Sequence, residues 1–174
     1  DLRFNGGGYL HQAINIVDEF LNKNQLIVYT EGAHSQKRSF YATNQGLFKD
    51  GKLIILVNSS TASASEIVSG AIQDNKRGKI LGRRTFGKGL VQQPLILPDS
   101  SELRITTSRY YTPSGKCIQK PYGDSINYEN DLFDRIESGE LTNNDSMLDQ
   151  SKFKGGIIPD IYSPIDTVNY NDLV

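Results

Sequence analysis

Apolar residues first fall into a helical rhythm near the start of the chain. Leu10, Ala13, Ile14, Val17, Phe20 and Leu21 recur at three- and four-residue steps. That spacing puts them on one face of a helix beginning at position 9. Asn5-Gly6-Gly7-Gly8 precedes it, a loop whose backbone can take conformations closed to other residues. Gln25 to Thr30 reads as a short buried strand, and the polar stretch 31–51 as a loop around the strand-like Arg38 to Thr43. Lys52 to Asn58 is a continuous apolar run of strand length, of the kind buried on both faces of a parallel sheet. Small residues follow from Ser59 to Ser65, then Ile67, Val68, Ala71 and Ile72 at helical spacing, which completes a βα unit. Lys79 to Gly82 predicts a further strand. Leu90 to Leu97 and Glu102 to Tyr111 predict two more, joined by the Pro98-Asp99-Ser100-Ser101 turn.

Residues 121–155 change character, with abundant Asp, Asn, Glu and Ser and one modest helical stretch near Leu132 to Ile136. They read as a surface insertion in a single domain spanning 1–174. Gly155 to Ile161 then resumes an apolar, β-like pattern.

Composition narrows the class. At 174 residues and 37% hydrophobic content, the chain can bury a sizeable core without metals or disulfides. Nineteen basic against twenty acidic residues leave a net charge of −1, which gives no footprint for nucleic acid and no polybasic membrane surface. The single cysteine, Cys117, excludes an internal disulfide, and with only His11 and His34 beside it a zinc site is not expected. No apolar run approaches the roughly 20 residues of a membrane helix. The chain opens on Asp1-Leu2-Arg3 without a methionine, which reads as a fragment of a longer parent.

The candidate chemistry centres on the turn after the third predicted strand. A hydroxyl at a helix N-terminus has a structural use, since it caps orphan N–H groups for about 1 kcal/mol. It can also be a nucleophile held where the next backbone N–H stabilises an oxyanion. Ser59, Ser60, Thr61, Ser63 and Ser65 are all candidates, although the G-x-S-x-G elbow pattern is absent. A nucleophilic serine needs a base. His11 and His34 have no suggestive acidic partner and read as structural or solvated. Lysine can serve only when neutral, which requires desolvation to lower its ordinary pKa of about 10.4. Lys88, between Gly87 and Gly89 and beside Phe86, is the best placed, and an exposed turn lysine is the alternative. The glycine stretches lack P-loop spacing, Cys117 has no histidine nearby in sequence, and the acidic cluster around Asp145 and Asp149 lacks calcium-loop spacing.

Several motifs converge on one family. Asp1-Leu2-Arg3-Phe4-Asn5-Gly6-Gly7-Gly8 resembles the D-L-R-x-N-x-G-G loop of the C-terminal processing, or tail-specific, serine peptidases. Ser60-Thr61-Ala62-Ser63-Ala64-Ser65-Glu66-Ile67 resembles their S-A-S-A-S-E-I nucleophile segment, with Thr61 as the one departure. Ala71 to Asn75 continues that helix as in the family. Gly82 with Thr85-Phe86-Gly87-Lys88-Gly89 resembles the turn that bears the family's lysine. Tyr110 to Gly115 and Gly156 to Asp160 match two further stretches.

The resemblance implies roles for individual residues. Ser63 matches the nucleophile, Lys88 the general base, and Gln92 the residue that orients the lysine. The amides of Ala64 and Gly7 match the oxyanion hole, and Glu66 a supporting position. It implies an α/β fold of the Clp protease/crotonase type, built of ββα units with a mainly parallel sheet, packed helices and β-rich segments. It also implies polypeptide substrates, no cofactor, no metal and an extracytoplasmic location, and leaves homo-oligomerisation open. Relatives of this kind carry a PDZ domain and further core elements before the D-L-R loop, so the chain reads as N-terminally truncated. Two alternatives accompany this reading: a non-catalytic ligand- or peptide-binding module on the same scaffold, and a crotonase-like acyl-CoA enzyme. The second leaves Ser63 and Lys88 without roles.

Overall fold

The structure, a computed structural model, describes residues 1–121, 130–142, 153 and 155–165. In chain order it contains α1 (Leu10–Asp18), β1 (Leu26–Gly32), β2 (Ser35–Tyr41), β3 (Ile54–Val57), α2 (Ala64–Asp74), β4 (Lys79–Gly82), β5 (Leu90–Ile96), β6 (Glu102–Tyr111), α3 (Asp131–Glu137) and β7 (Ile161–Tyr162). The strands form two sheets. One is parallel, in the order β3-β4-β7, and the other is antiparallel, in the order β2-β1-β6-β5. The chain is thus an α/β protein in which the parallel sheet carries the predicted serine turn and the β-rich segments make a sheet of their own.

The helices follow the predicted rhythm. Val17, at the end of α1, is fully buried, and its carbonyl also accepts the N–H groups of Phe20 and Leu21, so Leu21 stays in the core beyond the helix end. Along α2 every residue from Ala64 to Ile72 is buried, because α1 and the strands enclose it. Ile27 and Val28 of β1, Ile55 and Val57 of β3, and Ile80 of β4 join these helices in one apolar cluster. At about 25 cal/mol per Å² of apolar surface, this burial is the main stabilising term.

Two elements differ from the pattern-based expectation. The apolar run at 52–58 forms a strand only over Ile54–Val57, and it is not buried on both faces. Ile55 and Val57 face the cluster, whereas Ile54 is 56% exposed. Among the described residues, the helices cover one face of this strand. The stretch 31–51 is also more regular than a loop. Ser35–Tyr41 pairs antiparallel with β1 as a hairpin, and its polar residues lie on an outer edge strand, where alternation with apolar residues is not required.

The connection β3–α2–β4 positions the site. The two strands are parallel neighbours, in register Ile54 with Lys79 through Val57 with Gly82. Their C-terminal ends therefore lie side by side. The loop from Asn58 to Ser63 leaves one end and the turn from Arg83 to Gly89 leaves the other. This is the edge at which open parallel sheets bind ligands.

Candidate active site

The residues after β3 form a tied loop. Asn58 and Thr61 are buried; the Thr61 hydroxyl accepts the Asn58 N–H at 3.0 Å and donates to the Leu2 carbonyl at 2.7 Å. Asn58 Oδ1 accepts the N–H groups of Phe4, at 3.0 Å, and Ser60, at 3.1 Å. The Asp1–Gly8 segment is thereby fastened to the serine loop, and the Ala62 N–H reinforces it by donating to the Asn5 carbonyl at 3.0 Å. On the other side, the Phe86 N–H donates to the Thr61 carbonyl at 2.9 Å. Thr61, a departure from the family pattern in sequence, thus touches all three segments of the site.

Ser63 is the N-cap of α2 and has φ 56° and ψ −118°. A non-glycine residue in that region costs on the order of 1–3 kcal/mol, and such strain persists where the surroundings hold it. Here the restraint comes from Glu66, one turn into the helix. Glu66 is fully buried and its Oε2 accepts the Ser63 N–H at 2.8 Å.

Glu66 also reaches across to the 83–89 turn. Its Oε1 accepts the Thr85 hydroxyl at 2.5 Å and the Gly87 N–H at 2.7 Å, and its Oε2 accepts the Lys88 N–H at 2.8 Å. A carboxylate has about four lone-pair sites, and four donors meet this one. Burial pushes the Glu66 carboxyl pKa above its ordinary value, and the bonds from Thr85, Lys88, Gly87 and Ser63 oppose that rise. The Thr85 hydroxyl in turn accepts the Ile157 N–H at 2.7 Å, which ties the returning chain to the same carboxylate.

Gly7 lies against the serine. It has φ +84°, and a Cβ built on it would come 2.6 Å from the Ala64 nitrogen and 2.5 Å from the Ala62 carbonyl oxygen. Only glycine permits that approach. The Gly7 N–H donates to Asn5 Oδ1 at 2.9 Å, so this amide is engaged within its own loop. Beside it, Leu2, Ala13, Ile16, Ala64 and Val68 line a pocket that opens next to the Ala64 amide.

The sequence-predicted residues are therefore brought together to different degrees. Ser63, Ala64, Glu66, Gly7 and the backbone of Lys88 share one neighbourhood. The Lys88 side chain is exposed, whereas a base of this kind is expected to be desolvated. Among the described residues it makes no hydrogen bond to Ser63 Oγ. Gln92 is exposed on β5 opposite Thr106, at a register shift, and makes no side-chain hydrogen bond to Ser63 or Lys88 among these residues. The sequence reading missed Thr85 and Thr61 as connectors. Only their lack of a reason to be threonine, between apolar strands and glycines, hinted at buried hydroxyl bonds.

Comparisons with known proteins place the chain in a family. The sequence profile of peptidase family S41 matches residues 1–127. A carboxy-terminal-processing protease of Bartonella bacilliformis is 48% identical over 120 residues, which are 68% of this chain and 27% of that protein. A carboxyl-terminal-processing protease of Picosynechococcus sp. is 44% identical over 69% of this chain and 28% of its own length. Among solved structures, the photosystem II D1 C-terminal processing protease superposes with a TM-score of 0.71 at 30% identity, over 94% of this chain and 33% of that one. The chain spans between a quarter and a third of the length of each of these relatives. With its family profile matched from the glycine loop through the serine and lysine turns, the chain belongs to peptidase family S41.

Proposed function

We propose that the protein carrying this chain is a serine endopeptidase in which Ser63 is the nucleophile and Lys88 the general base. The observation that carries this reading is the shared carboxylate: Glu66 Oε2 accepts the backbone N–H groups of both Ser63 and Lys88. Two turns that are twenty-five residues apart are thereby locked to one atom, as a two-residue catalytic pair requires.

The mechanism is acyl transfer. The neutral Lys88 amine takes the Ser63 hydroxyl proton as Oγ attacks the peptide carbonyl carbon. The Ala64 amide, at the N-terminus of α2, faces the developing oxyanion, and the helix dipole adds to its pull. A second donor from the Gly7 loop joins when the Asn5 side chain releases the Gly7 N–H. The Lys88 ammonium then returns its proton to the leaving amine, and the C–N bond breaks. Water attacks the ester, Lys88 again takes the proton, and Ser63 Oγ recovers it as the acid product departs. Because the Lys88 side chain is exposed among the described residues, the desolvation that keeps an amine neutral comes from bound substrate or from the rest of the protein. Gln92, four residues further along β5, orients the amine in this reading.

The substrates are polypeptides, cut near their C-termini, in keeping with the names of the relatives, or within unfolded or processed proteins. An extracytoplasmic location is proposed from the family resemblance alone. The alternative, a non-catalytic binding module, is favoured by one observation: the Lys88 side chain is exposed and, among the described residues, makes no hydrogen bond to Ser63. A fluorophosphonate probe separates the two. In the full-length protein it should label Ser63, identified by peptide mass, and labelling should collapse in Lys88→Ala. Labelling of another hydroxyl, or none, would contradict the peptidase reading.

A further inference from the structure

The turn that carries Lys88 is irregular, so its amides and carbonyls cannot satisfy one another. Glu66 takes the N–H side, through Gly87 and Lys88. The carbonyl side is taken by Arg135, from the polar segment read in sequence as a surface insertion. Arg135 lies on α3 with its side chain only 3% exposed. Its Nη1 donates to the carbonyls of Arg84, at 3.3 Å, and Thr85, at 3.1 Å; its Nη2 donates to those of Thr85, at 3.1 Å, and Phe86, at 3.4 Å. One planar guanidinium thus spans three consecutive carbonyls, which the point charge of a lysine cannot do.

The guanidinium is itself anchored. Asp131, one helical turn earlier, forms an ion pair with Arg135 Nε at 3.0 Å that is not aligned as a hydrogen bond, and Glu140 lies 3.9 Å away. Glu140 is held by Arg84 of the turn through a two-pronged pair at 2.7 and 2.8 Å, both side chains being buried. Lys120 completes the ring. Its Nζ is 3.0 Å from Asp131 Oδ2 and 4.2 Å above the Phe86 ring, and its own N–H donates to the Gly87 carbonyl at 2.9 Å. Every carbonyl from Arg84 to Gly87 therefore receives a donor from outside the turn.

We propose that Arg135 is a positioning residue for Lys88, and that α3 clamps the carbonyls of the base-bearing turn while Glu66 holds its N–H groups. The Lys88 side chain makes no hydrogen bond of its own among the described residues, so its placement is set by the backbone beneath it. That backbone is held through its N–H groups by a buried carboxylate and through its carbonyls by a buried guanidinium. The proposal rests on Lys88 being the general base.

The test is Arg135→Lys in the full-length protein, with steady-state cleavage of a disordered substrate measured from pH 5 to 10. Lysine keeps a charge for Asp131 and Glu140 but cannot fork across three carbonyls. The clamp predicts a kcat about 10- to 100-fold lower, KM within about twofold of wild type as expected for a purely catalytic defect, and a displaced rising limb of the pH profile. A folded variant with wild-type kcat and an unmoved limb overturns it, as does a loss confined to KM or to the melting temperature. Should Arg135→Lys fail to fold, Asp131→Asn frees the guanidinium from its i,i+4 anchor and is read by the same two criteria, kcat and the pH limb. Lys88→Ala runs alongside: full turnover in that variant refutes the base assignment itself, independently of what Arg135 does.

Discussion

The backbone nitrogens of Ser63 and Lys88 donate to the same oxygen atom, Oε2 of Glu66, each at 2.8 Å. One segment follows β3 and the other follows β4, so the pairing depends on two parallel strands ending side by side. The chemistry proposed for the serine and the lysine thus has its geometry set by a third residue, which is itself fully buried.

Removing the amine should stop the reaction and little else. Lys88 is exposed, and its structural bond is made by its backbone, so Lys88→Ala should melt within a few degrees of wild type while turnover falls by about a thousandfold or more. A folded Lys88→Ala that still turns over would contradict the base assignment.

Glu66→Gln should leave a buried amide where four donors point. Its NH₂ group faces N–H or O–H donors that it cannot accept, so destabilisation of about 2 kcal/mol or more is expected in chemical unfolding. The pH sign is also determined. The folded pKa lies above the ordinary 4.5, so this group's contribution is fully present below that value and is lost as pH rises through the folded pKa. The stability gap between wild type and Glu66→Gln should therefore narrow as pH rises from 4 to 8. A gap that widens would refute the direction of the shift.

Gly7→Ala places a methyl group within 2.6 Å of the Ala64 nitrogen and 2.5 Å of the Ala62 oxygen, at a positive φ. The loop has to withdraw from the oxyanion side of Ser63. We expect kcat to fall by about a hundredfold, the usual effect of losing one oxyanion donor, together with a lowered melting temperature, since the new methyl group meets backbone atoms at a positive φ. An unchanged kcat would remove this loop from the site.

Thr85→Val keeps shape but removes the hydroxyl that links Glu66 to the Ile157 N–H. A cost of about 1–3 kcal/mol is expected, since two buried groups lose a partner. Denaturant titration measures it, and a value near zero would show that the link contributes nothing.

The sequence made some of this legible and left other parts hidden, for physical reasons. The α1 rhythm and the β3–α2–β4 unit follow from apolar spacing, because burial on one face leaves a periodic trace. Ser63, Lys88 and the Ala64 amide are singled out by the family resemblance, because the serine-rich turn by itself leaves five hydroxyls open and the lysine turn reads equally as solvated. The hairpin of β1 and β2 was obscured because its outer strand is polar and exposed, which leaves no apolar alternation to read. Arg135 was hidden for the opposite reason: it is a buried charge in a polar stretch, and only the fold reveals that Arg84, Glu140 and Asp131 surround it. Thr61 and Thr85 look interchangeable with serine or valine until their hydroxyl partners are known.

The central claim is tested most directly by incubating a disordered protein substrate with the full-length protein and, in parallel, with Ser63→Ala. Cleavage should be present in the wild type and absent in the variant, with the two melting alike. Cleavage that persists in a folded Ser63→Ala, free of contaminating protease, would contradict the account by showing that Ser63 is not the nucleophile.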